Sequence, residues 1–525
     1  MPRPDDSAAP GRSGRGVAIA AFIAALLALA AIGTALWQLH TATAGLAIAR
    51  DQVGAVPVTV FRPATAATAP VVVIAHGFAG SQQLMQPYAV TLARNGYLVV
   101  TFDFPGHGRN ASPFVARIED QERRIAILKG ALDAVTEYAL GLPGADGRLA
   151  LLGHSMAGDV ILRAAAARGD QVAANVLLSP YVGEDAPRVE PRDLLIVFGA
   201  WEPEMLHQMG RDALQAGVVG GSVETGVTYG DLADGSGRRL VLAPGVEHIG
   251  VLYGRAGIGV ALDWLNQVFR RTGSGFIDSR GSWLGLLFLG IVVLAWPLSR
   301  LLPRAATRPL GADLTWRRWW PVALLPAVLT PLILRPLPND YLPILLGDYL
   351  ALHFGVYGLL TAAGLWFVNR GHPRTGQGRV LWRGLGIGTL AAGAYLTLAI
   401  AIPMDQFVTA FLPGAERLLV ILGILPGTWA YFAADGWLTR GPGTPRAAPM
   451  VTKILFLLSL LGAVVLNLSE LFFLIIIVPA ILVFFLLYGP IGGWIYRRTR
   501  HPLVGALAIG FAFAWAIGVT FPIVN

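Results

Sequence analysis

The sequence predicts an α/β domain with a mostly parallel sheet and helices on both faces, set between an N-terminal transmembrane anchor and a C-terminal all-α membrane domain. Three observations predict it. Hydrophobic residues make up 54% of the chain and charged residues only 14%, against about a quarter charged in soluble proteins. Both ends of the chain carry apolar stretches of the roughly 20 residues that a bilayer-crossing helix needs. Between them, short β-rich runs alternate with helical patterns, the order that builds βαβ units.

Residues 1–16 are polar, carry Arg3, Arg12 and Arg15, and read as a cytoplasmic tail. Residues 17–37, Val17 to Trp37, read as the anchor. Ala42-Thr43-Ala44 offers an A-x-A cleavage site, so a signal peptide is the rival reading. The apolar stretch exceeds the roughly 7–15 residues of a signal h-region, and a retained anchor is expected. Both readings send the following residues across the membrane.

Residues 45–272 read as the α/β domain. Strands are expected at Val56–Phe61, Val71–Ala75, Tyr97–Phe102, Arg148–Leu152, Ala174–Leu178, Leu194–Phe198 and Arg239–Leu242. Helices are expected at Gln82–Asn95, Gln121–Leu140, Met156–Arg168 and Ile258–Arg271. Near-continuous apolar strands of this kind are covered on both faces.

Residues 283–525 read as a membrane domain of about eight helices, with spans near 283–302, 319–335, 344–368, 384–402, 417–435, 452–469, 471–490 and 503–523. If the N-terminus is inside, the inner loops hold Arg300, Arg304, Arg308, Arg317, Arg318, Arg370, Arg374, Arg379, Arg383, Arg440, Arg446, Lys453, Arg497, Arg498 and Arg500. The outer loops after the α/β domain hold only Arg280, Arg335 and Arg417. Cytoplasmic loops carry the basic excess. The expectation is therefore nine spans in all, in a bacterial inner (plasma) membrane, with the α/β domain extracytoplasmic and the C-terminus outside.

The net charge of +8 has the same origin. Residues 41–275 carry 19 Lys+Arg against 22 Asp+Glu, and the excess lies among the apolar segments. Nucleic acid is not an expected partner. The chain has no cysteine, which excludes disulfides, thiolate nucleophiles and Cys-based metal sites. It has no H-E-x-x-H, P-loop or Cys/His cluster either, so neither metal nor cofactor is expected.

The strongest local signal is Leu151-Leu152-Gly153-His154-Ser155-Met156-Ala157-Gly158. A serine hydroxyl needs exposure and a base to act as a nucleophile, and a strand–serine–helix turn supplies the exposure. Ala157 stands where G-x-S-x-G has its second glycine. Six histidines lie in residues 40–248. His40 ends the anchor, His76 and His107 sit in Gly-bounded turns, and His207 lies in a helix-like stretch. His154 on an extended segment is expected to point to the face away from Ser155. That leaves His248, in a loop after a strand, as the base.

These segments, in their order, resemble the α/β-hydrolase family over about residues 50–272. Ala75-His76-Gly77-Phe78 is similar to its oxyanion-hole motif, and Asp103-Phe104-Pro105-Gly106-His107-Gly108 to its D-x-x-G-H-G loop. Ser155 follows the next strand, Phe198-Gly199-Ala200-Trp201-Glu202 falls where the family places its acid, and Gly245-Val246-Glu247-His248 falls where it places its histidine. The resemblance implies the order Ser155, Glu202, His248, with Glu204, Asp185 and Glu184 open as alternative acids. It also implies oxyanion donors at the backbone N–H groups of Phe78 and Met156, and bracing roles for Asp103 and His107.

The expected chemistry is serine hydrolysis of a carboxylic ester, with a lipid-like substrate and membrane lipids as partners. An acyltransferase or peptidase using the same residues is an alternative, as is a transporter or sensor whose hydrolase-like part only binds ligand. Residues 179–193 leave no room for a substantial cap. The Gly-rich residues 217–237 are a candidate flap. Asp348 and His353 are candidates for a path through the spans, because intramembrane ionisable groups are costly and often functional.

Overall fold

In the computed structural model the described residues are 11–64, 68–115, 120–338, 340–370 and 378–524; most of the N-terminal tail and Arg374 lie outside them. Helix α1 (Gly11–Thr41) leads into the strands β1 (Leu46–Val53), β2 (Val56–Pro63), β3 (Ala69–Ala75), β4 (Leu98–Phe102), β5 (Ala145–His154), β6 (Val172–Leu178), β7 (Leu194–Gly199), β8 (Thr228–Tyr229) and β9 (Arg238–Ala243). Helices α2 (Gln86–Arg94), α3 (Gln121–Leu140), α4 (Ala157–Arg168), α5 (Glu204–Gln215) and α6 (Arg255–Val268) connect or follow them.

The nine strands form one sheet in the order β1-β2-β4-β3-β5-β6-β7-β9-β8. Its centre, from β4 to β9, is parallel, and antiparallel pairs close both edges. Strand alternation divides the apolar side chains into two cores. Val71, Val73, Leu149, Leu151 and Ile196 pack towards α3 and α4, while Val72, Ile74, Ala150, Leu152 and Val197 pack towards α2 and α6. With both faces covered, the strands read as unbroken apolar runs. Strand β1 was not expected from its sequence. Its interior residues are exposed, so Leu46–Val53 carries no buried face for an apolar pattern to mark.

The remainder is helical: α7 (Gly281–Ser299), α8 (Trp316–Leu334), α9 (Gly347–Asn369), α10 (Trp382–Phe407), α11 (Ala415–Leu438), α12 (Ala448–Leu466), the short α13 (Leu468–Leu471), α14 (Leu474–Thr499) and α15 (Pro502–Thr520). Among the described residues, eight helices are long and apolar enough to cross a membrane: α1, α7, α9, α10, α11, α12, α14 and α15. They make this an integral membrane protein.

Helix α8 is not among the eight; it starts at Trp316-Arg317-Arg318 and holds Pro321, Pro326 and Pro331. The far end of α7 is tied to the end of α14, because the Ala305 N–H donates to the Thr499 carbonyl. The start of α9 lies at the near end, because the Leu345 N–H donates to the Pro522 carbonyl, beside the sheet. Helix α8 carries the chain between these two ends.

Small residues bring the central helices together. A Cβ at Gly427 of α11 would lie 2.1 Å from the Ala351 carbonyl of α9, and one at Gly358 would lie 2.3 Å from the Tyr431 nitrogen. Close backbone approach at glycine is a principal source of helix association where no hydrophobic effect operates.

The sheet and the bundle meet over a polar seam. The Arg417 guanidinium donates to the carbonyls of Gly106, Gly518 and Phe521. Residues after α15 run into the β4 loop, where the Phe114 N–H donates to Ile523 and the Ile523 N–H to Gly106. Arg109 pairs with Asp405 at 2.6 Å. Arg280 is buried against Asp278 and donates to the Gln86 side chain. Arg280 and Arg417, two of the three basic residues expected at this end of the bundle, are thus tied down by partners.

Candidate functional site

Strand β5 ends at His154 and α4 begins at Ala157, leaving Ser155 at the turn with φ +53°. A non-glycine residue in the left-handed region is strained and persists only where its surroundings hold it. Here the Ser155 N–H donates to Leu178, and the Ser155 carbonyl accepts from Gly158 and Tyr181. Gly153 makes room for the departure from G-x-S-x-G. A Cβ at residue 153 would lie 2.9 Å from the Ala157 methyl and 2.3 Å from Ile161, so alanine fits at 157 because residue 153 has no side chain.

Around this turn the structure brings together the three residues that the sequence singled out. His248 Nε2 lies 3.0 Å from Ser155 Oγ, and His248 Nδ1 lies 2.9 Å from Glu202 Oε2. Ser155 is buried at 8% exposure. Glu202 is fully buried as a side chain, and His248 keeps 19% of its side chain exposed.

Glu202 is held by donors on its other oxygen. Oε1 accepts from the Gly199 N–H at 2.7 Å and from the Ser179 hydroxyl. The turn after β7 is closed by the Glu202 N–H on the Gly199 carbonyl, and the Trp201 N–H donates to Val246 in the histidine loop. Glu202 and His248 are therefore positioned by two loops packed back to back. The other carboxylates point elsewhere. Glu204 pairs with Arg211, Asp185 pairs with Arg163 at 2.7 Å, and Glu184 is exposed.

Met156 follows the serine at the N-terminus of α4, where the positive end of the helix dipole lies. Phe78 follows Gly77, where a Cβ would come within 2.9 Å of the Ser155 Cβ. The two residues expected to supply oxyanion donors thus neighbour Ser155, Met156 in the chain and Phe78 through Gly77. Asp103 and His107 brace loops. Asp103 accepts from the Gln82 and Arg109 N–H groups, and His107 Nδ1 donates to Pro105. His76 links the two loops, donating from Nδ1 to Gly77 and accepting at Nε2 from the Phe104 N–H. Burial holds the imidazoles of His76, His107 and His154 below the usual histidine range, so they are neutral supports.

His154 does not point away from the site. Its Nε2 donates to the His248 carbonyl at 3.0 Å, and the two rings lie 4.9 Å apart. Strand alternation stops applying where Ser155 leaves extended geometry. Ser179 was missed altogether. Its only signal was its place at the end of β6, one strand away from the acid turn. The Gly-rich connection contributes β8 at the edge of the sheet, four strands from β5, and does not cover Ser155. Asp348 and His353 are buried in α9, where Asp348 accepts the Tyr349 N–H and His353 sits among Tyr349, Tyr357 and Phe456. The structure does not bring them to the serine.

Residues 66–212 match the sequence model of the family described as serine aminopeptidase, S33. That match contains Ser155 and Glu202 on the sheet just described. This part of the chain has the α/β-hydrolase fold. Solved structures similar to it include a predicted hydrolase from Thermoplasma acidophilum (18% identity, 42% of this chain and 100% of that chain, TM-score 0.33). Another is a dienelactone hydrolase from Klebsiella pneumoniae (18% identity, 43% and 99%, TM-score 0.34). A third is a bacterial membrane phospholipase A (15% identity, 49% and 99%, TM-score 0.32). No curated protein matches the chain. The hydrolase part meets the bundle at Phe78, whose ring lies 4.6 Å from that of Phe473 at the start of α14.

Proposed function

We propose that the chain is a membrane-embedded serine hydrolase that cleaves a carboxylic ester through an acyl-enzyme on Ser155. The observation that carries this reading is the unbroken line Ser155 Oγ–His248–Glu202, with contacts of 3.0 and 2.9 Å. Glu202 fixes the His248 tautomer with hydrogen on Nδ1, leaving Nε2 free to take the serine proton as Oγ attacks the ester carbonyl. The tetrahedral oxyanion forms beside the N–H groups of Phe78 and Met156. His248 then gives its proton to the leaving alcohol. Water deprotonated by the same nitrogen releases the acid in the second step.

One contact beside the serine supports a substrate class. Phe78 supplies a proposed oxyanion donor from its backbone and packs its ring on Phe473 of the bundle. An ester whose acyl chain rests against that aromatic pair, a membrane lipid or lipid-like acyl ester, suits the site best. The aminopeptidase description of the matching family favours a peptide as the second reading, cleaved by the same residues.

A fluorophosphonate probe applied to membranes containing the full chain tests the nucleophile. The intact protein is expected to label, and Ser155→Ala and His248→Ala are expected not to. A folded, inserted protein that never labels overturns the catalytic reading. Hydrolysis of a vesicle phospholipid against an aminoacyl amide then separates ester from peptide. For orientation we propose that the hydrolase part is extracytoplasmic in a bacterial inner membrane. With no native cysteine, Val219→Cys, at a fully exposed position, gives a single thiol. A membrane-impermeant maleimide is expected to label it in intact spheroplasts; labelling only after lysis reverses the orientation.

A further inference from the structure

At the end of the bundle away from Ser155, helices α11, α12, α14 and α15 enclose a cavity of about 340 Å³. Its polar wall holds Asp435, Arg440 and Lys453. Lys453 Nζ pairs with Asp435 Oδ2 and lies over the rings of Tyr431 and Phe485, 5.4 and 5.5 Å from their centroids. Arg440 extends along Gly492 and Gly493 of α14, where a Cβ at Gly493 would lie 3.6 Å from its Nη1, and passes over the Tyr496 ring.

Among the described residues, the Arg440 guanidinium forms no direct ion pair and no hydrogen bond, and Asp435, which Lys453 holds, acts on it only from a distance. One acid therefore faces two bases. Arginine does not shed its proton, so the surplus positive charge calls for an anion. The planar guanidinium fork suits a phosphate, which it binds through two parallel N–H donors. The opposite wall selects the kind of phosphate. Met450 and Ile454 of α12 and Leu482 and Leu486 of α14 line the cavity and are exposed on the outer surface of the bundle, where lipid chains lie. A free phosphate has no use for such a mouth.

We propose that this cavity binds an anionic phospholipid, with its phosphate on Arg440 and its acyl chains along Ile454, Leu482 and Leu486. The site is separate from the hydrolase site. Arg417, at the start of α11, contacts the hydrolase loop, and Arg440 lies beyond the other end of that helix, roughly 35 Å away at 1.5 Å per residue. Basic pockets between helices on the cytoplasmic side are suited to anionic head groups, and this end of the bundle carries the arginine-rich loops. A lipid seated here joins α11, α12 and α14, and stabilises the folded bundle by mass action.

The test uses the purified full chain in detergent, with phosphatidylglycerol or phosphatidylcholine added. Lipid retention is read by native mass spectrometry and stability by thermal melting. The intact protein is expected to retain phosphatidylglycerol at least about fivefold over phosphatidylcholine, the ratio that one lipid-facing cation supplies, and to melt higher with it. Arg440→Gln is expected to bring the two lipids level. Equal retention by the intact protein overturns the proposal, as does a preference that survives Arg440→Gln. Inorganic phosphate stabilising as well as the lipid shows an ion site and overturns the lipid assignment. Should Arg440→Gln fail to fold, Ile454→Trp fills the mouth and leaves the charges intact; undiminished phosphatidylglycerol retention in that variant overturns the proposal.

Discussion

Glu202 in the hydrolase part and Asp435 in the bundle are both buried carboxylates beside a base, and they are held in different ways. Each oxygen of Glu202 has a donor: Gly199 and Ser179 on one, His248 on the other. Asp435 gives one oxygen to Lys453 and keeps the other buried without a partner. A carboxylate saturated with donors is fixed in direction, which is what a group orienting a base requires. A buried polar atom left open costs stability unless something absent from the chain completes it. The first arrangement is complete within the chain, and the second leaves one acceptor open.

The contrast breaks most severely at Glu202→Gln. Gly199 and Ser179 both donate to Oε1, so the glutamine carbonyl oxygen stays with them and its amide NH2 faces His248 Nδ1. The imidazole must then carry its proton on Nε2, and it no longer accepts from Ser155. The expected loss is about 10³–10⁴-fold in kcat, with fluorophosphonate labelling slowed in parallel and the fold retained. Labelling within tenfold of the intact protein would remove Glu202 from the proposed machinery.

Ser179→Ala is the gentler change, leaving Gly199 as the only donor to Oε1. A single hydrogen bond to a charged group contributes about 1.5–3 kcal/mol, and relaxation of the carboxylate offsets part of it. The expectation is a roughly tenfold drop in kcat with KM unchanged. A change in KM alone would instead mean that Ser179 shapes the binding surface.

How far the sequence discloses these arrangements depends on what each rests on. The central strands are legible because both of their faces are buried and apolar, whereas β1 is silent because its residues face solvent. Ser155 and His248 are marked by the turn after β5 and by elimination among six histidines. Glu202 and Glu204 sit two residues apart in one loop, and spacing cannot choose between them. The choice is made by Pro203, which starts α5 and sends Glu204 outward to Arg211, and by donors from β6 and β7 that meet only in the folded sheet. Arg417 reads as an ordinary loop arginine at a span end. Its carbonyl partners come from residues 106, 518 and 521, and no local pattern records such a meeting.

Asp193 offers the smallest and sharpest comparison, because it is a buried carboxylate supported by one backbone donor, the Gly237 N–H at 3.0 Å. Burial pushes its pKa up to about 6, against about 3.9 in an unfolded chain. Between those values the folded protein holds a proton that the unfolded chain has lost, so this group's contribution to stability falls as pH rises from about 4 to about 6. The buried histidines act in the opposite sense. With His76, His107 and His154 held below their usual range, the unfolded chain takes up protons below about pH 6.5 that the folded protein refuses. Stability from that source is lost as pH falls. Asp193→Asn keeps the acceptor for Gly237 and removes only the carboxyl titration, so the histidine slope cancels when variant and intact protein are compared. Melting both at pH 4 and pH 7 is expected to show the variant gaining on the intact protein at the higher pH, by about 1 kcal/mol or less after allowance for solvent screening. A gap that stays constant across the range would mean that Asp193 is already ionised at pH 4, and that one backbone donor is enough to hold a buried carboxylate charged.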